Sequence, residues 1–262
     1  MDSPTLPLPD ALAYRWRRGA LQAIDHVQRQ PLAELLGIDR QKAALIRNTA
    51  QFVAGRPANH VLLTGARGTG KSSLIKALLT EFAPQGLRLV EVPAHDLAEL
   101  PEIVAPLRER ALRYLIYVDD FSVANNDPAL TALKTALDGG VEEPPENVLI
   151  VATSNRRHLM PESRSDNGEY RWIDDELHPG ESTEEKISLS ERFGLWLSFQ
   201  AFGQDQYLEL VRLHLGLLGH LGWDAETETL ALRWALNRAS RSGRVARQFA
   251  QDYAGSRPVK NG

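Results

Sequence analysis

The residues that first suggest chemistry form a glycine-rich segment, Gly65-Ala66-Arg67-Gly68-Thr69-Gly70-Lys71-Ser72, with Ser73 directly after it. The spacing is G-x-x-x-x-G-K-S, between an apolar run that ends at Thr64 and a helical pattern that begins near Lys71. Backbone amides of such a loop and the N-terminus of the next helix present partial positive charge to a phosphate chain. Lys71 would reach the terminal phosphates, and the Ser72 hydroxyl would bind a magnesium ion. We therefore expect 65–73 to form a P-loop that binds ATP with Mg2+.

Two acids follow a second apolar run, Tyr114-Leu-Ile-Tyr-Val118, as Asp119 and Asp120. Ligands of open α/β sheets bind outside the carboxyl ends of the strands, which is where this pair would lie. Asp119 is therefore predicted to hold the magnesium ion together with Ser72. The alternative is that the two acids only cap the end of a strand in solvent.

A third apolar run, Val148-Leu-Ile-Val-Ala152, ends in Thr153-Ser154-Asn155. The amide of Asn155 would lie beside the phosphates, where it could orient water or contact the γ-phosphate. An ordinary turn residue is the alternative.

The composition limits the classes of protein to which the chain can belong. The 262 residues are 43% hydrophobic, enough for a real core, and they include no cysteine, which excludes disulfides and thiolate zinc sites. The start has no signal-peptide pattern, and no apolar stretch approaches the ~18 residues of a membrane span, so we expect a cytoplasmic protein without membrane contact. A net charge of -4 does not indicate a nucleic-acid partner, although local basic patches leave one possible.

Short apolar runs alternate with helical patterns through the middle of the chain. Five of them predict buried strands covered on both faces, at 60–64, 87–92, 114–118, 148–152 and 195–199. We predict an α/β fold with a five-stranded parallel sheet between helices. Residues 1–30 are predicted to be an N-terminal helical extension, with a helix over 11–30, and residues 31–202 the nucleotide-binding domain. Helical patterns at 204–221, 225–240 and 242–253 predict a small lid over 203–262.

The segment 159–186 is too long and too polar for an ordinary connection, with nine acidic residues against three basic ones. We expect it to be an insertion loop in the nucleotide-binding domain.

Several stretches together resemble the uncharacterised bacterial AAA+ family catalogued as a domain of unknown function. They extend over most of the chain from about Pro31, and they are Gly37-Ile38-Asp39-Arg40-Gln41-Lys42, Gly65 to Ser73, Asn155-Arg156-Arg157-His158-Leu159, Glu185 to Gly194 and Ser242-Gly243-Arg244-Val245-Ala246. The resemblance implies that Asn155 is the sensor 1 residue. It also implies that Asp120 stands where AAA+ enzymes usually have the glutamate that polarises the attacking water.

The same resemblance implies separate duties for two arginines. Arg192 matches the arginine finger, which points into the ATP site of the next subunit of a homo-oligomer. Arg244 matches the sensor 2 arginine of the lid, which contacts the γ-phosphate in its own subunit. A permanently charged planar guanidinium suits both places because it pairs with phosphate oxygens. A solvated surface arginine or a local salt bridge is the alternative for each.

Two functions remain open at this point. The first is an ATPase that hydrolyses ATP in an oligomer in order to remodel an unknown protein client. The second is a nucleotide-gated adaptor or loader with little turnover of its own, in which the acidic insertion would dock a partner. A small P-loop kinase or GTPase is disfavoured, because the guanine-reading Asn-Lys-x-Asp pattern is absent and the strand end Thr153-Ser154-Asn155 fits AAA+ proteins better.

Overall fold

The computed structural model describes residues 10–121, 133–137, 144–155, 170–173, 176–179, 191–220 and 222–256. The strands in these ranges are β1 (Ala13–Arg17), β2 (Ala20–Ala23), β3 (Val61–Gly65), β4 (Leu87–Val92), β5 (Arg113–Val118), β6 (Val148–Ser154), β7 (Tyr170–Ile173), β8 (Glu176–Pro179) and β9 (Leu195–Phe199). The helices are α1 (Asp39–Val53), α2 (Lys71–Phe82), α3 (Leu100–Val104), α4 (Gln204–Leu217), α5 (Ala225–Asn237) and α6 (Gly243–Ser256). Residues 133–137 are also helical.

Seven strands form one sheet in the order β2-β1-β4-β5-β6-β3-β9, and every pairing is parallel except that of β1 with β2. The five strands predicted from the apolar runs are its parallel centre, so that prediction is confirmed. Two further strands, β1 and β2, extend the sheet beyond β4 and make the predicted count of five too low.

The predicted helix over 11–30 is wrong, because this segment forms the β1–β2 hairpin. Arg17 pairs with Ala20, and the two residues between them, Arg18 (φ 54) and Gly19 (φ 71), take the left-handed conformation of a tight hairpin turn. Tyr14 and Trp16 are buried while the arginines beside them face solvent, which is the two-residue period of a strand. The apolar spacing near four residues was therefore misleading.

Helices cover the sheet on both faces, as the continuous apolar strands predicted. Leu63, Leu115 and Val151 pack in one cluster with α1, α2 and the C-terminal helices α4–α6. The alternate residues of the same strands, Leu62 and Ile116 among them, pack in a second cluster with α3. The predicted α/β fold and the helical C-terminal region are confirmed. The boundaries 31–202 and 203–262 between the two stay a prediction.

The predicted insertion 159–186 lies outside the described residues, except that β7 and β8 form a two-stranded antiparallel hairpin within it. In the ranges that the structure describes, no helix combines the length and the apolar character needed to cross a bilayer.

Candidate functional site

The glycine-rich segment forms a loop between β3 and α2 that only glycine can build. Gly65 has φ 133, and a Cβ there would overlap the backbone of Phe199 on the neighbouring strand. Gly68 (φ 73) and Gly70 (φ 99) lie in the left-handed region, which side-chain-bearing residues rarely adopt. A Cβ on Gly68 would also approach Ser242 to 2.8 Å. The loop therefore exposes main-chain atoms rather than side chains.

The N-terminus of α2 has no side-chain cap. Gly70 occupies the N-cap position, and it has no side chain to bond the first amides of the helix. By contrast, the N-cap of α5 is Asp224, whose carboxylate accepts a 2.7 Å hydrogen bond from the amide of Thr227. An uncapped helix N-terminus leaves several amides and the positive end of the helix dipole available to an anion.

Lys71 is the first residue of α2, and its side chain is buried, with 6% of the residue exposed. Its ammonium donates hydrogen bonds to the carbonyl oxygens of Gly65 (2.8 Å) and Ala66 (2.9 Å) and to Oδ1 of Asn155 (3.1 Å). Burial lowers the pKa of Lys71, although the nearby carboxylates of Asp119 and Asp120 oppose that shift. Its charge is held beneath the loop, where a phosphate chain would lie.

Three hydrogen bonds converge on Oδ1 of Asp119. The donors are the hydroxyls of Ser72 (3.0 Å) and Thr153 (2.7 Å) and the backbone amide of Asp120 (3.1 Å). Burial alone would raise the pKa of Asp119, but the hydroxyls of Thr153, Tyr117 and Ser72 and then the amide of Asp120 hold it below its usual range. Asp119 is thus ionised beside the hydroxyl of Ser72, and the magnesium site formed by the two stays a prediction.

Asp120 follows β5 in the left-handed conformation (φ 53), which aspartate tolerates better than most residues. Its Oδ1 accepts a hydrogen bond from the side-chain amide of Asn155, and its Oδ2 lies 3.6 Å from the guanidinium of Arg67. That ion pair is solvent-exposed and so adds little stability. Asn155 bridges Lys71 and Asp120, which places both predicted residues at the edge of the phosphate loop.

A cavity of about 630 Å³ opens above the loop, a size typical of small-molecule sites. Residues 67–73, Asp119, Asp120 and Asn155 line it. Apolar side chains also line it, contributed by the segment before α1, the segment before α4, and α4 itself: Leu35, Leu36, Ile38, Phe202 and Leu210. The charged groups suit phosphates and the apolar side chains suit a planar base. Sequence reasoning assigned none of these apolar residues to the site, although Gly37-Ile38 belongs to a stretch that carried the family resemblance.

The C-terminal helices reach the loop through the start of α6. The amide of Gly243 donates a 2.9 Å hydrogen bond to the carbonyl of Gly68, and Arg244 follows on the cavity wall. Arg247, one turn later, and His214 on α4 line the same wall. Burial, and then the charge of Arg247, lower the pKa of His214, so its ring is neutral at neutral pH. Arg244 therefore lines the cavity beside the loop, and its sensor 2 role stays a prediction. Sequence reasoning missed Arg247 and His214.

Arg192 is not brought to this cavity. Strand β9 runs parallel to β3, with Leu195 opposite Val61 and Phe199 opposite Gly65. Arg192 precedes Leu195, so it lies at the amino end of the strands, while the loop begins at their carboxyl end. The length of β3 between the two is roughly 13 Å at about 3.3 Å per residue. If Arg192 contacts ATP, the ATP must belong to another subunit.

The residues present fit both a nucleoside triphosphate and a magnesium ion. The glycines leave a main-chain cradle, and Ser72 and Asp119 supply the few oxygen ligands that a protein usually gives to magnesium. Beside them, the buried hydroxyl of Tyr117 lies among Ser72, Asp119 and Thr153 and has no hydrogen-bond partner of normal geometry among the described residues. An orphaned polar atom at this point is consistent with a partner that arrives with the ligand.

Comparison with known proteins gives matches to a family and to a fold. A family model described as "Protein of unknown function (DUF815)" matches residues 9–257. A variant of RuvB from Thermotoga maritima superimposes with a TM-score of 0.57 at 17% identity, and the T. maritima RuvB Holliday junction branch migration motor with a TM-score of 0.53 at 15% identity. Each of these two structures covers 86% of this chain, and the chain spans 64% of their length.

Among curated proteins, the DNA replication and repair protein RecF of Brucella abortus and of Brucella suis is 37% identical over 68 residues. This is 26% of the chain and 17% of either RecF. Such a short match does not extend RecF's activity to the chain as a whole.

Proposed function

The chain belongs to the DUF815 family and has the AAA+ P-loop fold, and on that premise we propose that it binds ATP with magnesium and hydrolyses it in an oligomer. The observation that carries the proposal is the meeting of the uncapped N-terminus of α2 and the buried ammonium of Lys71 in one cavity. A cytoplasmic location belongs to the proposal, because a chain without cysteine suits a reducing compartment.

Binding of the triphosphate would exchange hydrogen bonds rather than require new ones. The ammonium of Lys71 already has three acceptors, two of them loop carbonyls. Phosphate oxygens would replace some of these acceptors, since charge-assisted hydrogen bonds to an anion are stronger than those to neutral carbonyls. The amides of the loop and of α2 would bind the remaining phosphate oxygens.

Ser72 and Asp119 are the residues that would hold the magnesium ion. The ion, when bound, neutralises charge that develops on the phosphate oxygens during transfer. Thr153 fixes the rotamer of Asp119 by donating to Oδ1, so this carboxylate is already oriented before ligand arrives. The sequence predicted Thr153 only as part of the polar end of a strand, without a role in orienting Asp119.

Asp120 and Asn155 are the residues that would orient the attacking water. In the ligand-free protein Asp120 contacts Asn155 and Arg67. These contacts must break before Asp120 can orient water, and the phosphate oxygens of ATP would compete with Asp120 for both side chains. Arg244 would pair with the γ-phosphate from the lid. The remaining charge stabilisation would come from Arg192 of a neighbouring subunit, because Arg192 lies too far from the cavity of its own.

The proposal is least specific about the partner on which the ATPase acts. We favour remodelling of a protein client, with a nucleotide-gated adaptor or loader as the second candidate. RuvB is named for a motor that acts on Holliday junctions, and RecF for DNA replication and repair, so a role near DNA is compatible with the second candidate. The net charge of -4 favours neither a large phosphate-binding surface nor strong non-specific DNA binding.

Steady-state hydrolysis measured over a range of protein concentrations tests the proposal. If subunits complete each other's sites, the rate per chain should rise steeply as the oligomer forms. Tight ATP binding with a flat, very low rate would favour the adaptor. A rate per chain that is high and independent of concentration would contradict catalysis between subunits.

The partner can be sought with an Asp120→Asn variant, which keeps the shape of the site but removes the carboxylate that activates water. Such a variant should bind ATP and stay in the assembled state. Protein or DNA retained by it, and released by Lys71→Ala, would identify what the assembly engages.

A further inference from the structure

Tyr117 places a buried phenol directly beneath the ion site. It lies on β5 two residues before Asp119, which follows the strand, and its ring packs in the cluster that contains α2. Only 3% of the residue is exposed, and its hydroxyl has no hydrogen-bond partner of normal geometry among the described residues. The groups around that hydroxyl are the side chains of Ser72, Asp119 and Thr153.

The neighbours of Tyr117 are already paired with one another. Ser72 and Thr153 both donate their hydroxyl hydrogens to Asp119, and the oxygen of Thr153 accepts the amide of Asp120. The phenol therefore takes part in none of these hydrogen bonds. A buried hydroxyl left unpaired costs about 1–3 kcal/mol, so phenylalanine would be the more stable residue in the ligand-free protein.

We propose that Tyr117 is a positioning residue of the magnesium site, whose hydroxyl gains its partner, an oxygen of the ion's coordination shell, when ATP and magnesium bind. This inference rests on the proposed function. Groups that hydrogen-bond to the ligands of a metal orient them and tune its affinity. A phenol carries a hydrogen that it can donate at neutral pH. Its ring is held in the core, so the hydroxyl is positioned before the ion arrives.

Tyr114 provides a matched control on the same strand. It is also fully buried, and its hydroxyl also has no partner of normal geometry among the described residues. It belongs to the opposite cluster, with α3 on the other face of the sheet. Removal of either hydroxyl is therefore the same chemical change in the same kind of environment, but only Tyr117 faces the ion site.

The experiment compares the full-length wild type with Tyr117→Phe and Tyr114→Phe. The rise in melting temperature is measured with ATP plus EDTA and then with ATP at increasing Mg2+. Binding of Mn2+, as a spectroscopic substitute for Mg2+, is followed by electron paramagnetic resonance with ATP present. Both variants keep the ring that fills the core, so the ligand-free proteins should melt at or above the wild-type temperature.

For Tyr117→Phe we expect the concentration of Mg2+ that gives the half-maximal further shift to rise about tenfold or more, as for other residues that support metal ligands. The shift with ATP plus EDTA should match wild type, and Tyr114→Phe should match wild type in every condition. Equal Mg2+ and Mn2+ dependence in Tyr117→Phe and wild type would overturn the proposal. Loss of the EDTA shift in Tyr117→Phe would also overturn it, because the phenol would then support the loop rather than the ion. Failure of the proposed function is distinct, since wild type itself would then show no shift with ATP.

Discussion

Two asparagines bracket β6, and their side-chain amides have opposite kinds of partner. Asn147, before the strand, is buried, and its Nδ2 donates to the backbone carbonyls of Leu107 (2.8 Å), Arg110 (2.9 Å) and Leu112 (3.3 Å). Asn155, after the strand, hydrogen-bonds with two side chains of the phosphate site, Lys71 and Asp120. The amide of Asn147 therefore connects two segments of the backbone, while the amide of Asn155 connects side chains that a ligand would separate.

The same contrast runs along the two ends of the parallel strands. At the amino ends, His60 accepts a hydrogen bond from the amide of Ile150 (3.0 Å), and Asn48 bonds the backbone of Asn59 in both directions. At the carboxyl ends, hydroxyls and carboxylates bond mostly one another around a cavity. Polar residues at the amino ends should therefore determine stability, and those at the carboxyl ends should determine ligand binding.

Arg192 provides the largest test, because it is the predicted exception to this division. It lies at the amino ends of the strands, yet its loss should lower ATP hydrolysis by about 10³-fold or more, as for other arginine fingers. Arg192→Ala should keep the melting shift with ATP. Neither Arg192→Ala nor Lys71→Ala alone should hydrolyse ATP at a useful rate, whereas a mixture should recover activity, since an intact site can then meet an intact finger. Absence of recovery in mixtures that assemble would argue against a finger in trans.

The two asparagines allow a direct comparison of stability. Asn147→Ala should lower the free energy of unfolding by about 3 kcal/mol, because backbone carbonyls that Asn147 satisfies become unpaired in the interior. Asn155→Ala should change it by less than about 1 kcal/mol while slowing ATP hydrolysis. Urea denaturation of both variants without nucleotide gives the two values. Equal losses would remove the distinction between the two ends of β6.

Lys71→Ala should abolish ATP binding and leave the ligand-free protein stable, whereas Asn147→Ala should lower the stability of the ligand-free protein. ATP with magnesium at about 100 times its dissociation constant should stabilise wild type by roughly 2.7 kcal/mol, and the variant should lose that gain while its ligand-free form stays folded. Arg56→Ala removes an exposed positive charge in the turn after α1 and serves as the control. Thermal unfolding with and without ATP measures the effect, and retention of the shift in Lys71→Ala would place ATP elsewhere.

His60 predicts a smaller effect, which depends on pH. Burial lowers its pKa from 6.5 to about 4, so the folded protein keeps the neutral ring that accepts the amide of Ile150. Below about pH 6.5 the unfolded chain binds the proton first, so stability falls as the pH drops from there to about 4, by about 2 kcal/mol at pH 5. His60→Asn offers an acceptor that does not titrate, and it should lose that much less stability than wild type between pH 7 and pH 5. Parallel losses in the two proteins would show that His60 is not responsible.

Much of the fold and the charged half of the site were predictable because they depend on local pattern and on one rule of topology. Continuous apolar runs identify buried parallel strands, and parallel strands gather their carboxyl ends at one edge. Lys71, Asp119 and Asn155 were therefore predicted to meet, and they do. The G-x-x-x-x-G-K-S segment predicted the loop, because the loop needs the positive φ angles that Gly65, Gly68 and Gly70 adopt.

The rest depended on contacts between distant parts of the chain. Leu36 and Leu210 form one apolar wall only after the C-terminal helices fold over the sheet, and no local pattern pairs them. The β1–β2 hairpin was missed because its apolar residues fit a helical spacing as well as a strand. Pairing of β1 with the edge of β4 favours the strand, and this contact joins distant parts of the chain. Tyr117 looked like any core residue of an apolar strand, and only its unpartnered hydroxyl distinguishes it.

The most direct test of the account is a calorimetric titration of the ligand-free protein with ATP in the presence of magnesium. We expect heat from one site per chain, and none from Lys71→Ala. A titration of folded wild type that gives no heat, with ATP and magnesium in excess, would contradict the claim that the loop between β3 and α2 binds a nucleotide.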